Sequence, residues 1–451
     1  MDLHTAKERS PMKWLLPPLL ALALLAPAAS TARPDAPAPA AELRAKETFA
    51  VIWERLRASG FKGQHEGIDW DAIRAEHQDD IENAPDLATL RREIGELLDA
   101  LKASHLELIP ASALPKAGEL PKSGTADLGL RLAIIDRTLV VERVVPDSPA
   151  ARAGVRPGWT VSKIGGFEAA KVFSEAGPDA LKPRGLTMLH LVSNQMVSAV
   201  APDTPVELVL RDLGGAERPL SLSAQANPNT QTITLPGLPP MPLRIEHRTV
   251  PLRGGGCALV FEFSQWAMPV YGRLVDALRE HAGCRAVVLD LRGNSGGLVA
   301  TMPALGGLFL DQPAAIGTMI TGGGELKLTA LPREVDDAGR DVRRHSGPLA
   351  ILTDRGSVSC SDMFAGGMQA LGRARVFGDT SAGMALPSAS VPLPSGDRLL
   401  YPTADYIDPK GRRIEGVGVI PDTPSPPTLD ALRKGRDPAL DAALAWIAKQ
   451  P

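Results

Sequence analysis

The sequence predicts a multidomain α+β protein, because its residue pattern changes three times along a chain of 451 residues. That length is sufficient for two or three domains with hydrophobic cores of their own. Helical periodicity in residues 42–112 predicts an N-terminal helical domain, and strand-like runs in 125–215 predict a compact β-rich domain. Strands alternate with helices in 245–428, which is typical of a layered α/β domain, and a closing helix is expected in 429–451.

The N-terminus has the pattern of a secretory signal. Basic residues precede an apolar run, 14–25, that is too short to span a bilayer and is followed by small residues. Residues 1–32 are therefore predicted to be a signal peptide, cleaved after Ala32 or Ser30, and the Pro/Ala-rich segment 33–41 a linker. We expect a periplasmic or secreted protein with no stable membrane anchor after cleavage.

Composition excludes several classes of partner. The chain has 49 basic and 52 acidic residues, and a formal charge of -3 gives no reason to expect a nucleic-acid partner. Eight histidines and three cysteines occur without a C-x-x-C or H-x-x-x-H pair. We therefore expect no metal site and no cofactor.

Two cysteines precede strand-like runs. Cys257 and Cys284 each lie just before an apolar segment with the length of a buried strand. If those strands are parallel neighbours, their starting ends meet and a disulfide is feasible. Two free thiols are the alternative, because connectivity cannot be read from a sequence.

The helical domain contains three segments with apolar residues at helical spacing. They are marked by Phe49, Ile52, Trp53 and Leu56, by Trp70, Ile73 and His77, and by Leu87, Leu90, Ile94, Leu97, Leu98 and Leu101. The third segment ends at Ser104 and His105. Position alone favours His105 as a partner of the helix dipole over a catalytic residue.

The β-rich domain resembles a PDZ domain. Strand-like runs at 128–132 and 139–144 precede an S-P-A helix start, an A-G turn and an I-x-G-G hairpin, in the order that PDZ domains have them, although Trp159 replaces their usual acidic residue. The resemblance covers 125–215, with 167–200 expected to be a helical insertion. It implies capture of an extended peptide by strand addition, with a terminal carboxylate bound by backbone N–H groups near Gly129 and Leu130.

A serine-rich turn follows the apolar strand predicted at 348–352. Three serines occur within five residues, and Ser361 with Asp362 can cap a helix from Met363 to about Leu371. A serine just before a helix lies among free backbone N–H groups, which suit a developing oxyanion. A simple capped turn would give the same spacing.

Four motifs in order resemble the C-terminal processing (tail-specific) serine peptidases. They are Asp290–Gly297, Ser357–Asp362, Arg373–Gly378 and Gly416–Asp422. The resemblance covers nearly all of the chain after the signal peptide and implies a crotonase-like or ClpP-like α/β peptidase core in 245–428. It also implies that Ser359 is the nucleophile, with Asp362 in place of the family's glutamate.

The general base of those peptidases is missing from its usual position. They use a lysine about 25 residues after the nucleophile, where this chain has Met384, which cannot accept a proton. Ser104 and His105 instead resemble the Ser-His pair of the related tricorn protease core, a branch that uses Ser, His and Glu, and Glu415 stands where that branch has its glutamate. That resemblance implies that His105 is the base and that Glu415 orients it, directly or through Ser104.

The resemblance implies the remaining parts of a serine peptidase. The N–H of Cys360 and that of Gly296 or Gly297 would bind the oxyanion. We therefore predict an exported serine endopeptidase that cleaves unfolded or tail-exposed proteins captured by the PDZ-like domain. The alternatives are an inactive peptide-binding relative and a small-ligand binder, like the retinoid-binding members that share this core.

Overall fold

The computed structural model describes residues 44–59, 67, 69–113, 124–175, 182–235, 237–335 and 339–450. The predicted signal peptide, 1–32, and linker, 33–41, lie outside the described residues. The mixed helix and sheet architecture predicted from the sequence is confirmed.

Three helices and a short strand form the N-terminal unit: α1 (Ala45–Ala58), α2 (Trp70–Glu82), α3 (Leu87–Ala100) and β1 (Glu107–Ile109). Their apolar positions pack into one buried cluster that includes Phe49, Ile52 and Leu97. The side chains of Asp69 and Asp86 accept backbone N–H groups at the starts of α2 and α3. Such caps define where a helix begins.

The second unit is β-rich. Its elements are β2 (Ala126–Asp127), β3 (Leu130–Ile135), β4 (Thr138–Val144), α4 (Pro149–Arg152), β5 (Thr160–Ile164), β6 (Phe167–Glu168), α5 (Ala169–Glu175), α6 (Pro183–Ser198), β7 (Pro205–Arg211), β8 (Glu217–Ser223) and β9 (Gln225–Ala226). The main sheet has the order β3-β4-β5-β7-β8, and β2 pairs with β9. Helix α6 lies in the segment 167–200 that was expected to be an insertion, and it is part of this unit's packing, because Val197 is fully buried in the core.

The third unit contains the largest sheet. Its elements are β10 (Thr230–Ile233), β11 (Met241–Pro251), β12 (Cys257–Phe263), α7 (Met268–Glu280), β13 (Ala286–Asp290), α8 (Thr301–Gly306), β14 (Ala314–Thr321), β15 (Gly324–Ala330), β16 (Leu349–Thr353), α9 (Cys360–Ala370), β17 (Arg375–Gly378), β18 (Ser388–Pro392), β19 (Arg398–Pro402), β20 (Ala404–Ile407), β21 (Thr423–Pro424), α10 (Leu429–Arg433) and α11 (Pro438–Ile447). Strands β10-β11-β12-β13-β16-β17-β21 form the sheet, and it is parallel from β12 to β21.

The parallel strands are apolar on both faces because helices cover both. Residues of α7 and α9 pack on one face, and residues of α11 pack on the other. Sheets buried in this way have continuous apolar strands, as β13 and β16 do. The carboxyl ends of β13 and β16 lie at one edge of the sheet. The turn at 292–297 after β13, called the glycine turn, therefore lies beside the turn at 354–359 after β16, called the serine turn.

Helix α9 begins earlier than the sequence suggested. It starts at Cys360, with Ser359 as the N-cap residue, instead of at Met363. The reason is that Asp362 lies in the first turn and its carboxylate accepts the Ser359 N–H at 3.0 Å. A carboxylate at this position closes a capping box and sets the start of the helix.

The N-terminal unit is fixed to the third unit. Strand β1 pairs antiparallel with β19, and Arg91 forms a 2.6 Å ion pair with the buried carboxylate of Asp397. Leu386 and Leu399 complete the apolar cluster of the three helices. Strands β1, β19 and β18 form a separate three-stranded sheet, so the segment that carries His105 is held against β19 of the third unit.

A buried network of charges joins the β-rich unit to the third unit. Arg131 on β3 lies 2.8 Å from Glu142 and 3.7 Å from Asp290. Arg292 lies 2.6 Å from Asp290, 3.6 Å from Glu142 and 2.8 Å from Asp437. Removing one partner from such a network leaves an uncompensated buried charge, at a cost of about 3–5 kcal/mol.

Among the described helices, none has both the length and the apolar character needed to cross a bilayer.

A disulfide joins Cys257 to Cys284. Ala258 pairs with Ala286 in the parallel ladder of β12 and β13, so the starting ends of these strands are adjacent. The third cysteine, Cys360, is free and buried.

Replacing both Cys257 and Cys284 by serine is expected to lower the free energy of unfolding by about 3 kcal/mol, because the bond closes a loop with a sequence separation of 27 residues. Urea denaturation with and without a reductant measures this. Reductant should lower the wild-type midpoint and leave the double variant unchanged. Wild-type protein denatured without reductant should show one thiol, and three thiols would contradict the disulfide.

Candidate active site

Ser359 has a strained backbone at the start of α9. Its φ of 58° and ψ of -115° lie in a region that non-glycine residues rarely adopt, at a cost of about 1–3 kcal/mol. Gly296 of the neighbouring turn approaches so closely that a Cβ there would lie 2.5 Å from the Ser359 Cβ. The serine is therefore held against the glycine turn, and only glycine fits at 296.

The buried carboxylate of Asp362 holds this turn in place. It accepts hydrogen bonds from the N–H of Ser359 at 3.0 Å, the N–H of Gly383 at 3.0 Å and the hydroxyl of Ser381. Burial raises the pKa of Asp362 to about 7, while the hydrogen bonds from Ser381 and Gly383 lower it. Ser359 also donates its N–H to the carbonyl of Met384 at 2.9 Å.

Met384 is packed in an apolar cluster and offers no base. Its side chain is 3% exposed and lies with Leu191 of α6 and Val358, the residue before Ser359. Since a thioether does not take a proton at neutral pH, the position of the family's lysine has no acid–base role here. The cluster brings α6 of the β-rich unit against the serine turn.

Ser104 connects His105 to Glu415. The Ser104 hydroxyl donates to Glu415 Oε2 at 3.0 Å and lies 2.9 Å from His105 Nδ1. Glu415 also accepts the backbone N–H of Ser104 at 3.2 Å and that of Ala385 at 2.7 Å. A hydroxyl has one proton to donate, so the His105 Nδ1–H donates to Ser104 and leaves Nε2 as the acceptor. The hydrogen bonds between Glu415 and His105 thus run through the Ser104 hydroxyl.

Ser359 and His105 belong to one chain of contacts. Ser359 bonds to Met384, the next residue Ala385 bonds to Glu415, and Glu415 bonds to Ser104 beside His105. Within the described part of the chain, no hydrogen bond joins the His105 ring directly to the Ser359 hydroxyl. Catalytic hydrogen bonds commonly tighten only when substrate binds.

The surroundings of His105 favour its neutral form. Burial lowers the pKa of His105 to about 4, and the cation of Arg184 on α6 lowers it as well. Burial also raises the pKa of Glu107 to about 7, against the effect of Arg184, and raises the pKa of Glu415 above its ordinary value. A neutral imidazole can accept a proton at pH 7.

Sequence reasoning missed Glu107 and Arg184. Glu107 is two residues after His105, but His105 lies in a turn with a φ of 57°, so the alternation of a strand does not relate the two side chains and no sequence pattern points to Glu107. Arg184 lies in the segment that was expected to be an insertion, and only the packing of α6 brings it near His105.

Contacts in the glycine turn distinguish between Gly296 and Gly297 as the second oxyanion donor. The N–H of Gly296 donates to the Asn294 side chain at 3.0 Å and is occupied. The Cys360 thiol lies 3.3 Å from the Gly297 carbonyl, so these two backbones are adjacent. Burial raises the pKa of Cys360 to about 12, which keeps its thiol protonated and excludes it as a second nucleophile.

Asp354 joins the glycine turn to the serine turn. Its carboxylate accepts the N–H groups of Gly293 at 2.9 Å and Gly356 at 2.8 Å. His190 Nε2 of α6 lies 3.4 Å from the same carboxylate. Burial raises the pKa of Asp354, but His190 and the Gly293 N–H outweigh it, so the pKa is lowered overall. Asp354 therefore stays ionised between the two turns.

The expected peptide-binding edge of β3 is occupied. The N–H of Gly129 donates to Asp127 at 2.8 Å, and Leu130 pairs with Val144. At Leu132 the N–H donates to Asn194 Oδ1 at 2.9 Å, and Asn194 Nδ2 donates to the Leu132 carbonyl at 3.0 Å. The α6 side chain thus takes the backbone groups that an added peptide strand would need.

Comparison with known sequences identifies the segment that carries Ser359 and Glu415. Residues 260–425 match the model of Peptidase family S41. The chain is 22% identical over 331 residues to a probable CtpA-like serine protease of Staphylococcus haemolyticus (strain JCSC1435), covering 72% of this chain and 58% of that protein. It is 24% identical over 347 residues to a carboxy-terminal-processing protease of Bartonella bacilliformis (strain ATCC 35685 / KC583 / Herrer 020/F12,63), covering 74% and 69%. The chain thus spans less than two thirds of the first of these relatives.

Solved structures show the same fold. A photosystem II D1 C-terminal processing protease superposes with a TM-score of 0.55 at 20% identity, covering 90% of this chain and 97% of that one. Mature CPAF superposes with a TM-score of 0.56 at 13% identity, with the same two coverages. The resemblance to processing peptidases that the four motifs predicted is confirmed.

Replacing Arg184 by methionine is expected to raise the pKa of His105 from about 4 towards its ordinary value, because a nearby cation disfavours the imidazolium. Nuclear magnetic resonance titration of the His105 ring measures this pKa without needing activity. The control is Arg211→Met, which removes an exposed arginine of β7 paired with Glu217. An unchanged His105 pKa in the Arg184 variant would contradict the contact.

Proposed function

We propose, since residues 260–425 match the model of Peptidase family S41, that the protein is a serine endopeptidase of the C-terminal processing kind. The observation that carries this proposal is the chain of contacts from strained Ser359 through Glu415 and Ser104 to His105. A nucleophile, a neutral base and a buried carboxylate in one neighbourhood are the parts that acyl transfer needs.

In this mechanism the Ser359 hydroxyl attacks the peptide carbonyl carbon while His105 Nε2 takes its proton. The Nδ1–H donates to Ser104, which donates to Glu415, and the carboxylate stabilises the imidazolium. His105 then gives the proton to the leaving amine as the C–N bond breaks, which leaves an acyl ester on Ser359. Water, deprotonated by His105, attacks the ester, and the serine recovers its proton.

The oxyanion would be bound by the N–H groups of Cys360 and Gly297. Occupation of the Gly296 N–H by Asn294 supports the choice of Gly297. Cys360 is the first residue of α9, where backbone N–H groups point away from the helix. Each such donor contributes about 3 kcal/mol to transition-state stabilisation.

The proposed substrates are unfolded or tail-exposed proteins captured by the PDZ-like unit. Because Asn194 occupies the backbone groups of Leu132, a peptide adds to β3 only after this side chain leaves. We also propose that the protein is exported, and the bond between Cys257 and Cys284 supports an oxidising compartment.

One observation favours a second candidate. Met384 stands where the processing peptidases have their catalytic lysine, and its side chain belongs to the packing between α6 and the serine turn. A peptide-binding relative without hydrolytic activity would have the same features. A fluorophosphonate probe, which labels only an activated serine, separates the two functions.

Wild-type protein is expected to be labelled by this probe and to cleave casein, and Ser359→Ala should do neither. His105→Ala and Glu415→Gln are expected to slow labelling about 10³- to 10⁴-fold, because the base is absent or loses its ionised partner. The control is Met384→Leu, which conserves volume in the apolar cluster and should stay within about threefold of wild type. Absence of labelling in wild type would favour the binding protein, and full activity of His105→Ala would remove His105 from the mechanism.

Asn194→Ala is expected to strengthen binding of a peptide with a free C-terminus by about 5- to 30-fold, because the free state loses two competing hydrogen bonds. Fluorescence anisotropy in a Ser359→Ala background measures affinity without cleavage. The control is Gln195→Ala, the next residue of α6. Equal affinities in all three proteins would show that the β3 edge is not the binding site.

A further inference from the structure

We infer that His247, Glu280 and His281 form a binding site for a divalent transition-metal ion, with Zn²⁺ as the best fit. His247 lies on β11, Glu280 is the last residue of α7, and His281 is the C-cap residue of that helix. The ligand atoms of the three side chains all lie within 4.8 Å of one another. The site is separate from the serine turn and uses none of its residues.

The distances fit a tetrahedral ion. His247 Nε2 lies 3.6 Å from Glu280 Oε2, and His281 Nε2 lies 3.7 Å from Glu280 Oε1. Zinc bound to nitrogen and oxygen at about 2.0–2.1 Å requires ligand atoms about 3.3–3.4 Å apart. The two distances exceed this spacing by a few tenths of an ångström, but they involve different Glu280 oxygens. The side chains must therefore move closer together to share one ion, and water completes the fourth position.

The two imidazoles and the carboxylate favour a transition-metal ion over Mg²⁺ or Ca²⁺. Two imidazoles and one carboxylate form a set that zinc uses, whereas Mg²⁺ and Ca²⁺ prefer oxygen ligands. Nickel and copper also suit imidazole. The side chains of His247 and His281 are each 23% exposed and that of Glu280 is 64% exposed, so an ion can reach the site from solvent.

Neighbouring contacts position the His247 ring and the His281 backbone. His247 is paired with Phe261 across β11 and β12, and its ring is stacked on the phenyl ring with an interplanar angle of 14°. The carbonyl of His281 accepts the N–H of Cys284 at 2.9 Å, and the disulfide ties Cys284 to the start of β12. The two ligand-bearing elements therefore meet at a cross-linked corner.

The sequence pattern gave no sign of this site. His247 and His281 are on different elements, far apart in the chain, so a search for an H-x-x-x-H pair fails. A second group, His77 with Glu93 and Glu96, has a single imidazole. Because zinc sites of this kind use two or three nitrogens, that group is the weaker candidate and provides a control.

The test uses Ser359→Ala protein treated with a chelator, so that its outcome does not depend on the proposed peptidase activity. Calorimetric titration with Zn²⁺ should show one site, weakened at least 30-fold in His247→Ala and in His281→Ala and about tenfold in Glu280→Gln. His77→Ala should bind as the parent does. Saturating Zn²⁺ should also raise the thermal midpoint, because an ion that binds only the folded state stabilises it.

Titration with Co²⁺ is a check that needs no variant. Tetrahedral Co²⁺ with nitrogen ligands gives an intense visible absorption, and excess Zn²⁺ should remove it. Absence of this absorption, absence of a stoichiometric Zn²⁺ site, or equal Zn²⁺ affinity in the double variant His247→Ala/His281→Ala would each overturn the assignment.

Discussion

The buried carboxylate of Glu415 is the constraint on which the candidate site depends. It is 5% exposed, and an ionised carboxylate without donors would be unstable at that depth. Its donors come from two distant parts of the chain, Ser104 in the N-terminal unit and Ala385 in the third unit. Satisfying one charge therefore fixes the position of the N-terminal helices and the orientation of the His105 ring together.

Buried carboxylates also have partners from two units where the β-rich unit meets the seven-stranded sheet. Asp290 ends β13, and Arg131 and Arg292 lie beside it, so the end of a core strand is neutralised partly by a side chain of β3. Asp354 at the end of β16 accepts N–H groups from both turns and faces His190 of α6. Charges at the strand ends thus set both the local turns and the position of a neighbouring unit.

Local patterns predicted much of the fold. Apolar spacing located the three N-terminal helices, short apolar runs located β13 and β16, and the starts of two strands placed Cys257 near Cys284. Within the site, motif order selected Ser359, and the missing lysine directed attention to His105 and Glu415. The roles of these three residues stay predictions.

Features that depend on packing between units could not be read from the chain. Residues 167–200 were expected to be a helical insertion without a motif, and α6 within them provides Arg184, His190 and Asn194. The contacts of these residues are with segments about 60 to 160 positions away, and no periodicity encodes such distances. The early start of α9 was missed for a similar reason, because it depends on how the Asp362 carboxylate is shared among Ser359, Ser381 and Gly383.

Helix α6 contacts four separate parts of the structure. Along its 16 residues, about 24 Å, it faces His105, Asp354, Met384 and β3 in turn. Because one helix carries all four contacts, we expect the energetic effects of disrupting them to be coupled. Substitutions along α6 therefore do not have independent effects, and the energetics of this helix are a property of the whole element, measurable only through double-mutant cycles.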